Sequence, residues 1–79
     1  MSTIINEEKP FRIQSYGKSE LAAFYLPNIT RKSAADTLKR WISKIPGLNN
    51  ALQQAGLLPA DRRYTPLQVQ LIVNALGEP

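Results

Sequence analysis

The chain has 79 residues, a formal charge of +4 at neutral pH and 43% hydrophobic residues, which suits one small domain with one core. It contains no cysteine and no histidine, which excludes disulfides, the usual zinc sites and the commonest nucleophiles and bases of neutral-pH catalysis. A modest basic excess suffices for phosphate contacts and is also ordinary for a soluble protein.

Residues 1–9 read as a polar tail that ends at Pro10, leaving 10–79 as a single helical domain. MSTIINEEKP lacks the basic region and apolar run of a signal peptide. No apolar stretch approaches the roughly 20 residues of a membrane-spanning helix. The expectation is a cytoplasmic protein that is not an enzyme, has no cofactor or metal, meets no membrane and takes no small-molecule substrate.

Phe11-Arg12-Ile13-Gln14 alternates apolar and polar residues, the pattern of a short strand. Ser15 is placed to cap a first helix over Tyr16–Tyr25, with Glu20 in its first turns and Leu21, Phe24 and Tyr25 on one face. Pro27 and Asn28 stop it.

Thr30 caps a second helix that runs to Ile45 and carries five of the ten basic residues. Ala34, Leu38, Trp41, Ile42 and Ile45 form one apolar stripe at helical period. Lys32, Asp36, Lys39 and Ser43 point away from it, Arg31 flanks it, and Arg40 and Lys44 extend the polar side. Two readings of this basic face stand. Arg31, Lys32, Lys39, Arg40 and Lys44 suit a helix that meets phosphates or guanine edges in a DNA major groove. The same residues suit a solvated face, since Asp36 lies four residues from both Lys32 and Arg40. Trp41 belongs to the stripe and is expected in the core.

Pro46 ends this helix and suits the first position of the next. Leu48, Ala51, Leu52 and Ala55 give a short third helix closed by Gly56. Arg62-Arg63-Tyr64 follows as a short strand that pairs with Phe11–Gln14, and its two arginines suit either contacts to a DNA backbone or a plain solvated loop. Thr65-Pro66-Leu67-Gln68 is a capping box with proline at the first helical position. It opens a fourth helix that runs to about Leu76. Val69, Ile72, Val73 and Leu76 form one apolar stripe there, and Leu67, Leu71 and Ala75 a second. A helix apolar on two sides is central in its domain or shared with a partner.

Two resemblances follow from these runs. FRIQSYGKSELAAFYLPN, TLKRWI, YTPLQVQLIV and LGEP resemble a family of short proteins of Bacteroides-type bacteria, a domain of unknown function, which implies no established activity. The order SYGKSELA, TLKRWI, GLLPADRRYTPLQVQLI is similar to the DNA-binding half of MerR-type and excisionase-like winged helices. By that resemblance Thr37, Leu38 and Arg40 match the start of a recognition-helix motif, and Arg62-Arg63 match its wing. The added helix over Leu48–Ala55 and the short wing depart from it.

The fold expected is mainly α, a small four-helix helix-turn-helix-like domain with room for a minimal two-stranded sheet. The function expected is a DNA-binding module, a regulator or accessory factor, with double-stranded DNA held by Arg31, Lys32, Lys39, Arg40, Lys44, Arg62 and Arg63. The alternative is a protein-interaction adaptor or homodimer that uses Leu67, Leu71 and Ala75.

Overall fold

A computed structural model describes residues 11–79. The expected tail over residues 1–9, and Pro10 as its end, lie outside the described residues. In chain order the elements are β1 (Tyr16–Gly17), α1 (Lys18–Tyr25), α2 (Arg31–Lys44), α3 (Leu48–Gln54), β2 (Arg63–Tyr64) and α4 (Pro66–Leu76). The fold is mainly α, with four helices and a small antiparallel two-stranded sheet among the described residues.

The strand partner differs from the sequence expectation. Arg63–Tyr64 pairs with Tyr16–Gly17, in the register Tyr16 to Tyr64 and Gly17 to Arg63. Phe11–Gln14 is not a strand. Its aromatic anchor explains why: the Phe11 ring stacks on Tyr16 at 5.5 Å and meets Phe24 edge-on. The Tyr16 hydroxyl also donates to the Arg12 carbonyl at 2.8 Å. The segment is therefore held by rings and one hydroxyl, where a ladder would need its backbone extended beside β2. The pairing continues one step past β1, where the Lys18 N–H donates to the Arg62 carbonyl at 2.9 Å.

This pairing also moves the start of the first helix. Gly17, not Ser15, is the N-cap of α1. Glycine has no side chain to offer, so Glu20 Oε1 reaches back and accepts from the Gly17 N–H at 2.8 Å. Ser15 Oγ instead accepts from Arg63 Nε at 3.2 Å.

The second helix begins as expected, with Thr30 Oγ1 accepting from the Ser33 N–H. Its stripe is buried through Ala34, Leu38 and Ile42, with Trp41 and Ile45 half-buried against the same core. α3 starts later than a helix-opening Pro46 implies. Pro46 lies in the turn, and Gly47 is the N-cap with φ +81, a conformation that side-chain-bearing residues rarely adopt. Gly56 follows the third helix at positive φ, in the closing role expected of it.

α4 opens on the full capping box. Thr65 Oγ1 accepts from the Gln68 N–H, and Gln68 Oε1 accepts from the Thr65 N–H. Gln68 is itself buried, and its Nε2 donates to the Ala55 carbonyl at 3.1 Å. One side chain thus caps α4 and ties it to the end of α3. Val69, Ile72 and Val73 fill the core beneath Leu21, Leu38 and Leu52. The second stripe divides: Leu71 packs against the core at half burial, whereas Leu67 is 58% exposed and Ala75 is exposed. Phe24, placed on one face with Leu21 and Tyr25 by the sequence, is exposed, and its ring meets Phe11 and Tyr16 edge-on. No helix of the described residues is long and apolar enough to cross a membrane.

Candidate nucleic-acid interface

All seven basic residues singled out in the sequence lie on the surface. The stripe that buries Leu38 and Ile42 fixes where those of α2 point. At about 100° per residue, Lys32 and Lys39 share one flank of the exposed face. Arg40 and Lys44 lie about 100° and 140° further round from Lys39. Asp36 stands between the two flanks.

The flank with Lys39 opens on a groove of about 730 Å³. α2 forms one wall with Ala35, Asp36, Lys39 and Ile42. The 57–62 loop lines the same groove and brings Arg62 to it, and Lys18 at the start of α1 lines it too. Lys39 and Arg62, distant in sequence, therefore border one surface.

Five charged residues line this groove: Lys18, Asp36, Lys39, Asp61 and Arg62. Both carboxylates have local partners. Asp61 Oδ2 accepts from the Leu58 N–H at 2.9 Å and holds the loop's turn together with the Asp61 N–H bond to the Leu58 carbonyl. Asp36 pairs with Lys32 at 3.9 Å, between side chains 89% and 66% exposed. Such an exposed pair is worth only about 0.3–0.5 kcal/mol, so Lys32 stays available to another anion. Lys39 and Arg62 form no ion pair among the described residues.

Lys18 was not singled out in the sequence. Its ammonium lies over the Tyr64 ring, 5.7 Å from the centroid. A cation in the first turn opposes the helix dipole, and that mismatch was the one trace of a special role. Tyr64 is buried at 5% exposure, and burial raises its phenol pKa above the ordinary value.

The three other arginines of the set face elsewhere. Arg63 follows Arg62 directly, and neighbouring strand residues point to opposite sides. Its guanidinium pairs with Glu20 at 3.7 Å and binds Ser15 through both the hydroxyl and the carbonyl. Arg31 borders a shallow hollow with Tyr16, Glu20 and Phe24. Arg40 Nη2 donates to Thr37 Oγ1 at 3.5 Å, and next to Lys44 the Asn49 amide donates to Ser43 Oγ at 3.4 Å. The structure thus brings Lys39 and Arg62 together and joins Lys32 to their flank. It leaves Arg40 and Lys44 on the far flank, pairs Arg63 with Glu20 and sets Arg31 on a separate hollow that Glu20 also lines.

No group of three or more carboxylates with metal-holding geometry occurs among the described residues. Residues 12–79 match a family model described as a domain of unknown function, DUF4248. No curated protein and no solved structure matches the chain.

Proposed function

We propose that this chain, which belongs to the DUF4248 family, is a non-catalytic module that binds double-stranded DNA with the exposed face of α2 and the adjoining Arg62 edge. The observation that carries this reading is the convergence of Lys39 and Arg62 on one groove while the groove's carboxylates are engaged locally. Cations so placed gain most from an extended anion, and a duplex backbone is the commonest one. Lys32, Lys39 and Arg62 take phosphates, which position the module without reading sequence. Arg40 and Lys44, on the far flank, reach base edges or the opposite backbone strand, since a helix fits the major groove. Arg31 and Arg63 contribute less, because Glu20 offsets their field.

The resemblance to MerR-type and excisionase-like winged helices is the second support. It supplies the same order of parts: a bracing α1, a basic α2, an arginine-bearing loop and a capped α4. A bacterial, cytoplasmic regulator or accessory factor goes with that reading.

Anisotropy of a labelled duplex of mixed sequence tests the surface. Lys39→Ala and Arg62→Ala should each weaken binding across sequences and lower the salt slope by about 1, as phosphate contacts do. Arg63→Ala should change both least. Equal losses for Arg62→Ala and Arg63→Ala would place the surface elsewhere.

A homodimer or adaptor built on Leu67, Leu71 and Ala75 is the second reading. The 58% exposure of Leu67 is the observation that favours it.

A further inference from the structure

The groove beside α2 has a feature that a phosphate backbone leaves unused. Its floor is apolar: Leu57 is half-buried there, and Ile42 and Leu52 border it while themselves buried at 3% and 1% exposure. Leu58 stands on its wall at 61% exposure, the most exposed of the large hydrophobic residues among those described. The wall is preformed, because Asp61 fixes the Leu58 backbone from both directions. An anion with no apolar part satisfies the cations and leaves the floor wet. A purely apolar segment covers the floor and strips water from Lys18, Lys39 and Arg62 without a counter-charge, which is costly. Only an occupant with both properties uses the whole lining.

We propose that this groove docks a short segment of a partner protein in which an acidic side chain stands next to large apolar ones. The apolar side chains lie on Leu57 and Leu58, and the carboxylate meets Lys39 and Arg62. The volume of about 730 Å³ accommodates a few side chains, and an apolar anchor surrounded by a charged rim is the usual anatomy of such a contact. This proposal does not rest on the DNA reading, though the two occupants share Lys39 and Arg62 and exclude one another there.

The test is selection of a random dodecapeptide library on the immobilised full chain, with a blank surface as control. Resynthesised winners are then titrated into the ¹⁵N-labelled protein. Enriched peptides should carry an acidic residue beside large apolar residues and should shift the amides of residues 57–62 and of Lys39. Leu58→Ser and Arg62→Gln, both at exposed positions, should keep the native spectrum and weaken the peptide by about tenfold or more, as expected for a central interface anchor. Leu58→Ser changes no charge, so duplex binding should survive it, while Arg40→Ala should weaken the duplex and spare the peptide. The proposal is overturned by absence of enrichment over the blank, by winners without an acidic residue, or by peptide binding that survives both groove variants. A synthetic peptide of residues 1–10 of this chain that competes equally well would overturn it in favour of the chain's own segment. A duplex that shifts the Leu58 amide as strongly as the peptides would assign the groove to DNA.

Discussion

Tyr64 shows how one buried residue reports on the region that forms the groove. It pairs with Tyr16 of β1 and lines the groove, with the Lys18 ammonium over its ring, and burial raises its phenol pKa. Tyr25 is raised too, first by burial and then by Glu78, and its hydroxyl donates to the Gly77 carbonyl at 2.6 Å. Both folded-state values lie above the unfolded value of about 10. The fold therefore favours the neutral phenols, so their contribution is complete below about pH 10 and is lost as pH rises through the folded values. Thermal melts across the alkaline range should show a decline that Tyr64→Phe makes shallower; an unchanged decline in that variant would remove Tyr64 as its source. In the sequence, Tyr64 beside two arginines was compatible with core and surface alike. Its burial follows from pairing with Tyr16, a contact between residues 48 positions apart that no local pattern carries.

At the scale of elements, local rules decide most of what forms. The TPLQ spacing opens α4 where a capping box predicts, and the five-residue stripe of α2 is buried or half-buried throughout. What local rules miss is who covers whom. Gln68 flanks the buried stripe of α4, and its burial depends on the end of α3 lying over it. Gln68→Ala should remove two side-chain bonds, leave the Ala55 carbonyl without this donor and open a void, at a cost of about 2–3 kcal/mol. Gln68→Leu should recover part of the loss by restoring volume, and Thr65→Ala should cost about 1 kcal/mol through the cap alone. Denaturant midpoints order the three; a Gln68→Ala variant no weaker than Thr65→Ala would show that the α3 tie contributes nothing. The misplaced first strand has a comparable cause. Four alternating residues, FRIQ, make a stronger pattern than the two-residue β1, yet an aromatic cluster takes Phe11 away and a hydroxyl anchors Arg12. A strand of two residues leaves no period to detect.

For the whole molecule, the basic surface is assembled by topology. The helical period made the exposure of Lys32, Lys39, Arg40 and Lys44 legible, but not that the 57–62 loop brings Arg62 to the groove that Lys39 also lines. Nor was it legible that Arg62 and Arg63 would part, one toward the groove and one toward Glu20. The second stripe of α4 also changes meaning in three dimensions. With Leu71 packed on its own core, Leu67 and Ala75 offer a small patch, well short of the roughly 800 Å² per partner of a stable interface. Light scattering over a concentration series should therefore give the monomer mass. A dimer that Leu67→Ser dissolves would shift the function to the interaction reading. The central claim is that α2 and Arg62 meet a duplex through its phosphates, and the affinity of the unmodified chain for duplex DNA over a range of salt tests it most directly. With Lys32, Lys39 and Arg62 on phosphates, and Arg40 and Lys44 adding to them where they reach the opposite backbone, log affinity should fall linearly with log salt at a slope of about −3 to −5; absence of binding at low salt, or a slope near zero, would contradict it.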